Sequence, residues 1–225
     1  MISVIIPTLN EETGIAACLD ALSALRERGH EVIVVDGGSS DTTPAIARKR
    51  ADAVIGAARG RAVQMNAGAA VARGDVLLFL HADTRLPHDA DGLIAAALSG
   101  DRAWGRFDVV IGGDNALLPL VACMMNLRSR LSGIATGDQA MFVRTDAFRA
   151  LGGFPVLPLM EDIALSRLLK RVSAPACLRQ RVATSGRRWE QGGVLRTIFL
   201  MWWLRLRFFC GADAARLERA YRSAR

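Results

Sequence analysis

An unbroken apolar run from Val76 to Leu80 is the feature that most constrains the fold of this chain. A short run without a polar break is typical of a strand buried on both faces, as in a parallel sheet covered by helices. The run stops at His81 and Asp83, which point the same way in an extended chain. Ligands of open α/β sheets bind beyond the carboxyl ends of strands, so both side chains are site candidates. Asp83 offers an oxygen ligand for Mg²⁺ or Mn²⁺, or else it begins the turn before a helix that follows Pro87.

Strand-like and helical segments alternate ahead of this run. In chain order, the predicted elements are strand 3–7, helix 14–28, strand 31–36, helix 45–50, strand 53–55, helix 60–73 and strand 76–80. Asn10 or Thr13 is a candidate cap of the first helix. This alternation predicts an α/β fold with a Rossmann-like, mostly parallel central sheet that is flanked by helices.

The second half of the chain is less regular. Its predicted elements are strand 106–113, helix 117–127, a loop and strand at 136–144, helices 145–151 and 163–171, and an aromatic helical segment at 194–210. The apolar stretches at 117–127 and 197–204 are too short to span a bilayer. We expect one large domain, residues 1–190, followed by a helical C-terminal extension, residues 191–225.

The net charge of +7 comes almost entirely from arginine, because Lys49 and Lys170 are the only lysines. Arginine suits phosphate recognition, and it also suits nucleic acid or an anionic membrane surface. The arginines are spread along the chain rather than gathered in one basic stripe, so we expect no nucleic-acid partner.

The four cysteines are scattered, with no C-x-x-C pair and no nearby His cluster: Cys18, Cys123, Cys177 and Cys210. This pattern indicates neither a zinc site nor a disulfide framework, and it predicts reduced, mostly buried thiols. The chain begins with a strand-like run and without a secretory signal pattern. We therefore expect a cytoplasmic protein, either free or peripheral at the inner face of the membrane.

Polar clusters follow the apolar elements at four places: Thr8 with Asn10 and Glu11, Asp36, Asp83, and Glu161 with Asp162. If the parallel sheet forms, at least the first three clusters lie along one rim. A nucleotide needs such an arrangement, because a carboxylate can accept hydrogen bonds from a base or ribose while a metal bridges the diphosphate. Arg59 or Arg61 would add positive charge near the phosphates.

Each cluster also has a structural explanation when it is taken alone. Asp36 suits a helix cap and Asn10 suits a turn. Glu161–Asp162 at a helix start complements the helix dipole. Arg187–Arg188 suits a solvated basic turn.

In this order and spacing, however, the segments resemble the family 2 glycosyltransferases with the GT-A fold. The matching segments are 4–11, 34–42, 66–68 with 72–75, 79–83, 152–154 and 161–162. The resemblance extends over roughly residues 2–190. It implies a GT-A type of fold and transfer of one sugar, with inversion, from a nucleoside-diphosphate sugar linked to UDP or GDP.

The resemblance also assigns roles to residues. Asp83 would be the ligand of Mg²⁺ or Mn²⁺, and Asp162 would be the general base on the acceptor hydroxyl. The implied donor contacts are Pro7, Thr8, Asn10, Glu11, Asp36, Arg61, Asn66, His81, Ala82 and Asp83. The implied substrate contacts are Asp138, Gln139, Glu161, Arg188 and Trp189.

Two positions depart from the family pattern. His81 occupies the first position of the D-x-D metal motif, so metal affinity is lower, or His81 ligates the metal or contacts the donor instead. Gly37 stands where many relatives carry a second Asp. Arg188 would clamp the leaving diphosphate and Trp189 would stack on an acceptor sugar. Because the Gln and the membrane helices of processive synthases are missing, transfer of a single sugar is favoured over polymerisation.

Two further features bear on the acceptor and on a possible subgroup of the family. The aromatic and arginine-rich segment at 194–210 suits a helix at a lipid interface, which would bring the site to a lipid-linked rather than a small-molecule acceptor. Packing on the core, or a homodimer through the C-terminal helices, explains that segment equally well. The segment 81–83 together with 137–140 also resembles a small bacterial subgroup linked to arsenosugar biosynthesis.

Other classes fit the sequence less well. A nucleotidyltransferase would carry a Gly-rich, basic loop after the first strand, where this chain has 7–10, Pro-Thr-Leu-Asn. A dinucleotide-dependent oxidoreductase would need G-x-G-x-x-G there, and that motif is absent. A catalytically inactive nucleotide-binding scaffold at a membrane surface remains an alternative, because His81 replaces a metal-binding carboxylate.

Overall fold

A computed structural model describes residues 1–223, apart from the side chains of Arg188 and Arg222. The strands are β1 Ile2–Thr8, β2 Glu31–Asp36, β3 Ala53–Gly56, β4 Val76–Phe79, β5 Thr84–Arg85, β6 Trp104–Gly112, β7 Phe142–Arg144 and β8 Ala176–Ser185. The first helices are α1 Ile15–Asp20, α2 Ser23–Glu27, α3 Thr43–Arg48, α4 Arg61–Val71, α5 Ala90–Ala97 and α6 Leu118–Ser132. The later helices are α7 Thr145–Ala150, α8 Glu161–Leu169, α9 Arg187–Gly192, α10 Val194–Phe209 and α11 Ala214–Ser223, and a 3₁₀ turn covers Gly137–Gln139.

The strands form one mixed sheet in the order β3-β2-β1-β4-β7-β6-β8-β5. The N-terminal half is parallel, with Ile5 of β1 opposite Ile33 of β2 on one side and Phe79 of β4 on the other. β7 then pairs antiparallel with both β4 and β6. β8 runs parallel to β6 and antiparallel to the short β5. The predicted α/β class with a largely parallel sheet is confirmed.

Alternate residues of the central strands enter two hydrophobic cores, one on each face of the sheet. Val4 and Leu78 pack with side chains of α1, α2, α3, α5 and α6. Ile5 and Leu77 pack on the opposite face with α4, α7 and α8. All four side chains are fully buried. The apolar run that begins at Val76 is therefore a strand covered on both sides, as its composition predicts.

Several local predictions need correction. The helix predicted at 14–28 is two short helices, because the chain tightens between them, where Leu22 N–H donates to Leu19 O at 3.0 Å. The predicted cap by Asn10 or Thr13 does not form, since Gly14 occupies the position before α1 and no side chain caps it. The basic turn suggested at 187–188 is instead the first turn of α9.

The expectation of mostly buried cysteines is wrong. Cys18 is buried and Cys177 is partly buried, whereas Cys123 and Cys210 are exposed. Cys123 lies on the solvent side of α6, and Cys210 directly follows the last residue of α10. Burial, followed by the nearby Asp83 carboxylate, raises the pKa of the Cys18 thiol to about 12, so this thiol stays neutral.

The C-terminal helices pack against the rest of the chain through a third apolar cluster. Leu204 of α10 and Leu217 of α11 contact a group formed by Ile134, Met160 and Ile163. The opposite side of α10 exposes large apolar residues: Leu195, Phe199, Trp202, Trp203, Leu206 and Phe209. No helix within residues 1–223 is both long and apolar enough to cross a bilayer. The division at residue 190 stays a prediction.

Candidate active site

The loops that follow β1 and β2 are tied to each other by crossed hydrogen bonds. Asn10 N–H donates to Ser39 Oγ at 2.9 Å, and Ser40 N–H donates back to Asn10 Oδ1 at 2.9 Å. Glu11 N–H donates to Thr43 Oγ1 at 2.8 Å. Asn10 has a φ of 54°, a left-handed conformation that Asn tolerates better than most residues. These bonds join two loops into one rim at the carboxyl ends of the parallel strands.

Asp36 organises the turn on this rim. Its Oδ2 accepts hydrogen bonds from Gly38 N–H and Ser39 N–H, both at 3.0 Å, and its Oδ1 accepts one from Ser39 Oγ at 2.5 Å. The sequence left open a helix-capping role and a base-binding role for Asp36, and the cap does not form, because α3 begins only at Thr43. The geometry places its carboxylate in the turn, where Oδ2 already accepts two hydrogen bonds and Oδ1 accepts one, so that Oδ1 keeps one lone pair for a ligand.

Gln64 of α4 is a structural residue of the rim that the sequence analysis missed. Its Nε2 donates to Thr8 O at 2.9 Å and to Val35 O at 2.8 Å, and its side chain is buried. A Cβ at Gly37 would lie 3.0 Å from this amide, so a larger residue at position 37 would press on the Gln64 side chain. A polar residue among the buried positions of α4 was the available signal.

A cavity of about 1200 Å³ opens beside the rim and extends to the C-terminal helices. Its walls contain most of the predicted site residues: Pro7, Thr8, Glu11, Arg61, His81, Ala82, Asp83, Asp138, Glu161, Asp162 and Trp189. Asn10, Asp36, Asn66 and Gln139 are not among the wall residues. The side chain of Arg188 lies outside the described part of the chain. The cavity thus brings Asp83 and Asp162 to one space although 79 positions separate them in sequence.

Two of the residues away from the cavity wall have internal partners. Asn66 Nδ2 donates to Phe154 O, and Phe154 N–H donates to Asn66 Oδ1, both at 2.9 Å. Gln139 is fully buried, and its Oε1 accepts a hydrogen bond from Thr136 N–H at 3.2 Å. Both amides therefore hold neighbouring loops in place, and their expected ligand contacts stay predictions.

His81 is held between two residues of the 3₁₀ turn. Its Nδ1 lies 3.3 Å from Asp138 Oδ1. A Cβ at Gly137 would lie 2.5 Å from His81 Nε2, so only glycine allows the backbone to approach the ring this closely. The ring therefore packs against the loop of Gly137, whose N–H donates a hydrogen bond to Asp162 Oδ2.

Asp162 and Glu161 occupy the first turn of α8 in contrasting environments. Asp162 Oδ2 accepts a hydrogen bond from Gly137 N–H at 2.9 Å and lines the cavity. Glu161 is buried beside Met160, and burial together with the charge of Asp162 raises its pKa, while Arg61 acts in the opposite direction. Asp162 is thus anchored and accessible, as a proton acceptor must be.

Arginines from four helices line the cavity: Arg61 of α4, Arg128 of α6, Arg187 of α9, and Arg196 and Arg205 of α10. Enclosure by the cavity walls lowers the pKa of Arg61, but the carboxylates of Glu161 and Asp138 raise it by more, so the net direction is upward. Arg187 Nη2 lies 3.7 Å from Glu11 Oε2. Burial and the nearby Asp83 raise the pKa of Glu11, and Arg187 opposes this rise. Diphosphate oxygens would find fixed positive charge here.

The side chains of this site could supply only part of the coordination sphere of a divalent metal ion. Within residues 1–223, no three His, Cys, Asp or Glu side chains are grouped so that they could hold a metal ion. Asp83 is exposed at the rim and lines the cavity. Mg²⁺ is often held by one or two carboxylates together with water and substrate phosphates, so Asp83 fits such a site.

Comparison with known proteins identifies the class of fold and site. The model of the family "Glycosyl transferase family 2" matches residues 3–150, and the chain belongs to this family. A "PGL/p-HBAD biosynthesis glycosyltransferase" of Mycobacterium bovis (strain BCG / Pasteur 1173P2) is 38% identical over 159 residues, covering 67% of this chain and 58% of the relative. The chain thus spans less than two thirds of the length of such relatives.

Solved structures share the fold at lower identity. S. aureus TarS 1-349 in complex with UDP-GlcNAc matches with a TM-score of 0.65 and 21% identity, covering 82% of this chain and 58% of that one. The mannosyltransferase PcManGT from Pyrobaculum calidifontis, in complex with GDP-Man and Mn²⁺, matches with a TM-score of 0.61 and 21% identity, covering 81% and 56%. The predicted GT-A fold and family are confirmed. The arsenosugar subgroup stays a prediction.

Proposed function

We propose that this chain transfers a single sugar from a nucleoside-diphosphate sugar to an acceptor hydroxyl, with inversion and with the help of Mg²⁺ or Mn²⁺. The observation that carries the proposal is that Asp83 and Asp162 line one cavity of about 1200 Å³. Membership of the glycosyltransferase family supports it. Similar structures hold UDP-GlcNAc or GDP-Man with Mn²⁺, which supports a nucleotide-sugar donor.

On the donor side, the rim would receive the base and ribose. Pro7, Thr8 and Glu11 line the cavity there, and Asp36 stands at the adjoining turn. Asp83 would hold the cation, which would neutralise charge on the leaving diphosphate. Arg61 and the Arg187 guanidinium would add hydrogen bonds and positive charge to the same phosphates.

On the acceptor side, Asp162 would take the proton of the attacking hydroxyl. Its Oδ2 is oriented by Gly137 N–H at 2.9 Å, so the base needs little rearrangement before the reaction. A single displacement inverts the anomeric carbon, because the hydroxyl attacks from the face opposite the leaving diphosphate. Trp189, which is partly buried at the cavity wall, is the proposed stacking surface for an acceptor.

The proposal extends to location and assembly. α10 exposes Phe199, Trp202 and Phe209, which also line the cavity, next to several arginines. This combination is typical of helices that lie at a lipid interface. Peripheral contact with a membrane, a lipid-linked acceptor and a homodimer through the C-terminal helices remain predictions that this exposed face motivates.

Titration calorimetry with UDP and GDP, each with and without Mn²⁺ or Mg²⁺, tests the donor site. We expect the cation to raise the affinity for one nucleotide at least tenfold, and Asp83→Ala to abolish that increase while metal-free binding stays within twofold. Asp101→Ala, an exposed carboxylate outside the cavity wall, is the matched control and should behave like the wild type.

Absence of nucleotide binding with either cation would contradict the proposal. It would favour the inactive scaffold instead. Binding that is metal-dependent in Asp83→Ala as well would show that another group holds the ion.

A further inference from the structure

Arg128 of α6 lines the cavity with a partly buried side chain. Its Nε and Nη2 atoms are buried, and neither has a hydrogen-bond partner among the residues that the structure describes. A buried donor without a partner loses its water and gains nothing in return, which is unfavourable for a charged group above all. Such a group in a cavity wall indicates that a ligand supplies the missing acceptor.

Two neighbouring arginines differ from Arg128 because each pairs with a carboxylate, although Arg106 Nε also lacks a hydrogen-bond partner among the described residues. Asp108 accepts hydrogen bonds from Arg106 Nη1 and, at 2.5 Å, from Arg130 Nη2. Arg130 also donates to Cys177 O at 3.2 Å. The carboxylate of Asp108 thus serves two arginines. Arg128 lies two positions before Arg130 in the same helix and faces the cavity instead.

A second arginine adds to the positive charge of this part of the cavity. Burial, followed by the charge of Arg205 on α10 and by that of Arg106, lowers the pKa of Arg128 to about 10. Asp162 acts in the opposite direction. Arg128 remains charged at neutral pH, and its guanidinium is close enough to Asp162 for the two charges to interact.

The position of Arg128 points to the acceptor rather than to the donor. Arg187 and Glu11 face each other on the donor rim, next to Asp83. Arg128 instead interacts with Asp162, the proposed base, and with α10. Apolar side chains surround this end of the cavity: Val121, Met124, Met125, Ile198, Met201 and Trp202.

We propose that Arg128 binds an anionic group, a phosphate or a carboxylate, of the acceptor whose hydroxyl Asp162 deprotonates. This inference rests on the proposed function and names its acceptor class. The bound anion supplies the hydrogen-bond acceptors that Arg128 lacks, and it positions the hydroxyl beside Asp162. An acceptor with an apolar part next to the anion would also contact the apolar lining.

Calorimetry on the full chain with UDP and Mg²⁺ bound tests the inference with three probes. The probes are inorganic phosphate, dihexanoyl phosphatidic acid, and dihexanoyl phosphatidylcholine, which has the same acyl chains and no net charge. We expect Arg128→Met to weaken binding of phosphatidic acid or phosphate at least tenfold. Arg48→Met removes the same charge from α3, away from the cavity wall, and should leave these affinities within twofold.

A stability measurement separates binding from folding. If the Arg128 guanidinium is unsatisfied without ligand, Arg128→Met should not lower Tm and should raise it by about 2–4 °C. The UDP–Mg²⁺ affinity of this variant should stay within twofold of the wild type. Arg128-dependent binding of phosphatidic acid that is tighter than that of phosphate would identify a lipid-borne anion. Arg128-dependent binding of phosphate alone would identify a soluble acceptor, and both results support the inference.

Three results would overturn the inference. The first is that the wild type binds neither phosphate nor phosphatidic acid. The second is that wild type and Arg128→Met bind phosphatidic acid equally well, and the third is that Arg128→Met binds UDP–Mg²⁺ more weakly than the wild type. Failure of the proposed function looks different, because the wild type would then bind neither UDP nor GDP with a cation. The anion titrations without nucleotide would still decide the role of Arg128.

Discussion

The rim, which we propose binds the donor, and the cavity wall of α6, α8 and α10, which we propose binds the acceptor, are built in different ways. The rim consists of loops after β1, β2 and β4, and its polar groups bond to one another, as Asn10 does with Ser39 and Ser40. The wall combines α6, α8 and α10, and there Arg128 has unpartnered donors while Glu161 is buried. The comparison indicates that strand topology determines the conformation of the rim. The wall, in contrast, has polar groups whose hydrogen bonds a ligand would complete.

The largest expected effect tests the wall. Asp162→Asn removes the proposed base but leaves an oxygen that can still accept the hydrogen bond of Gly137 N–H. We expect turnover to fall by about 10²–10⁴-fold, the usual contribution of a placed general base, with nucleotide affinity unchanged. Release of nucleoside diphosphate in the presence of acceptor measures turnover, with Asp101→Asn as the control. Turnover within a few-fold of the wild type would assign the base to another residue.

A smaller effect tests the rim through the packing beneath it. In Gly68→Ala, the new Cβ would lie 2.5 Å from Ile5 Cγ2 and 3.0 Å from Val35 Cγ2, so α4 must shift away from the sheet. We expect a loss of about 1–3 kcal/mol in the free energy of unfolding, measured by urea denaturation.

Gly92→Ala is the matched control for this substitution. Gly92 lies inside α5 with open space around its Cα, so the same change should stabilise the protein by about 0.5–1 kcal/mol. Equal effects at positions 68 and 92 would show that the contact between α4 and the sheet is not tight.

The smallest effect compares the pH dependence of two carboxylates. Burial, together with the charge of Asp162, raises the pKa of Glu161 above 4.5, so the folded chain holds this proton more tightly than the unfolded chain. Stability therefore falls as pH rises from about 4.5 to the folded pKa. Glu161→Gln should raise Tm above that window and give no gain below it, in thermal unfolding from pH 2.5 to 8.

Asp91, outside the cavity, should show the opposite sign. Its hydrogen bonds with Arg28, and also with His30, lower its pKa from 3.8 to about 2. Its stabilising contribution is present above the ordinary pKa and is lost as pH falls toward about 2. Asp91→Asn should thus lower Tm most at neutral pH. If the change in Tm varied with pH in the same way for Glu161→Gln and Asp91→Asn, the contrast between the cavity wall and the rest of the protein would be contradicted.

The sequence predicted the parallel half of the fold well because its signals are local. The apolar run at 76–80 and the carboxylate at Asp83 lie within one short segment, so periodicity and sheet topology are enough to place that carboxylate at the rim. The same reasoning located Thr8 and Glu11 beside it. Helix ends were predicted less well, because the break between α1 and α2 depends on tight turns rather than on apolar spacing.

Residues whose environment depends on distant contacts were not predicted. Gln64 bonds to Thr8 O and Val35 O, which lie 56 and 29 positions away. The position of Arg128 in a cavity wall requires α6 and α10 to face the same space, and no local pattern specifies that packing. The family resemblance suggested Asp162 as the base, but the hydrogen bond from Gly137 that orients its carboxylate appears only in three dimensions.

The crossed hydrogen bonds of the rim bear on how a nucleotide is selected. Loops that become ordered only when a ligand arrives lose conformational entropy on binding, and this loss weakens affinity. Here the loops after β1 and β2 already restrain each other. For the proposed donor, discrimination between uridine and guanosine would then depend on the fit to a binding site of fixed shape, and a mismatched base would gain nothing from a rearrangement of the loops.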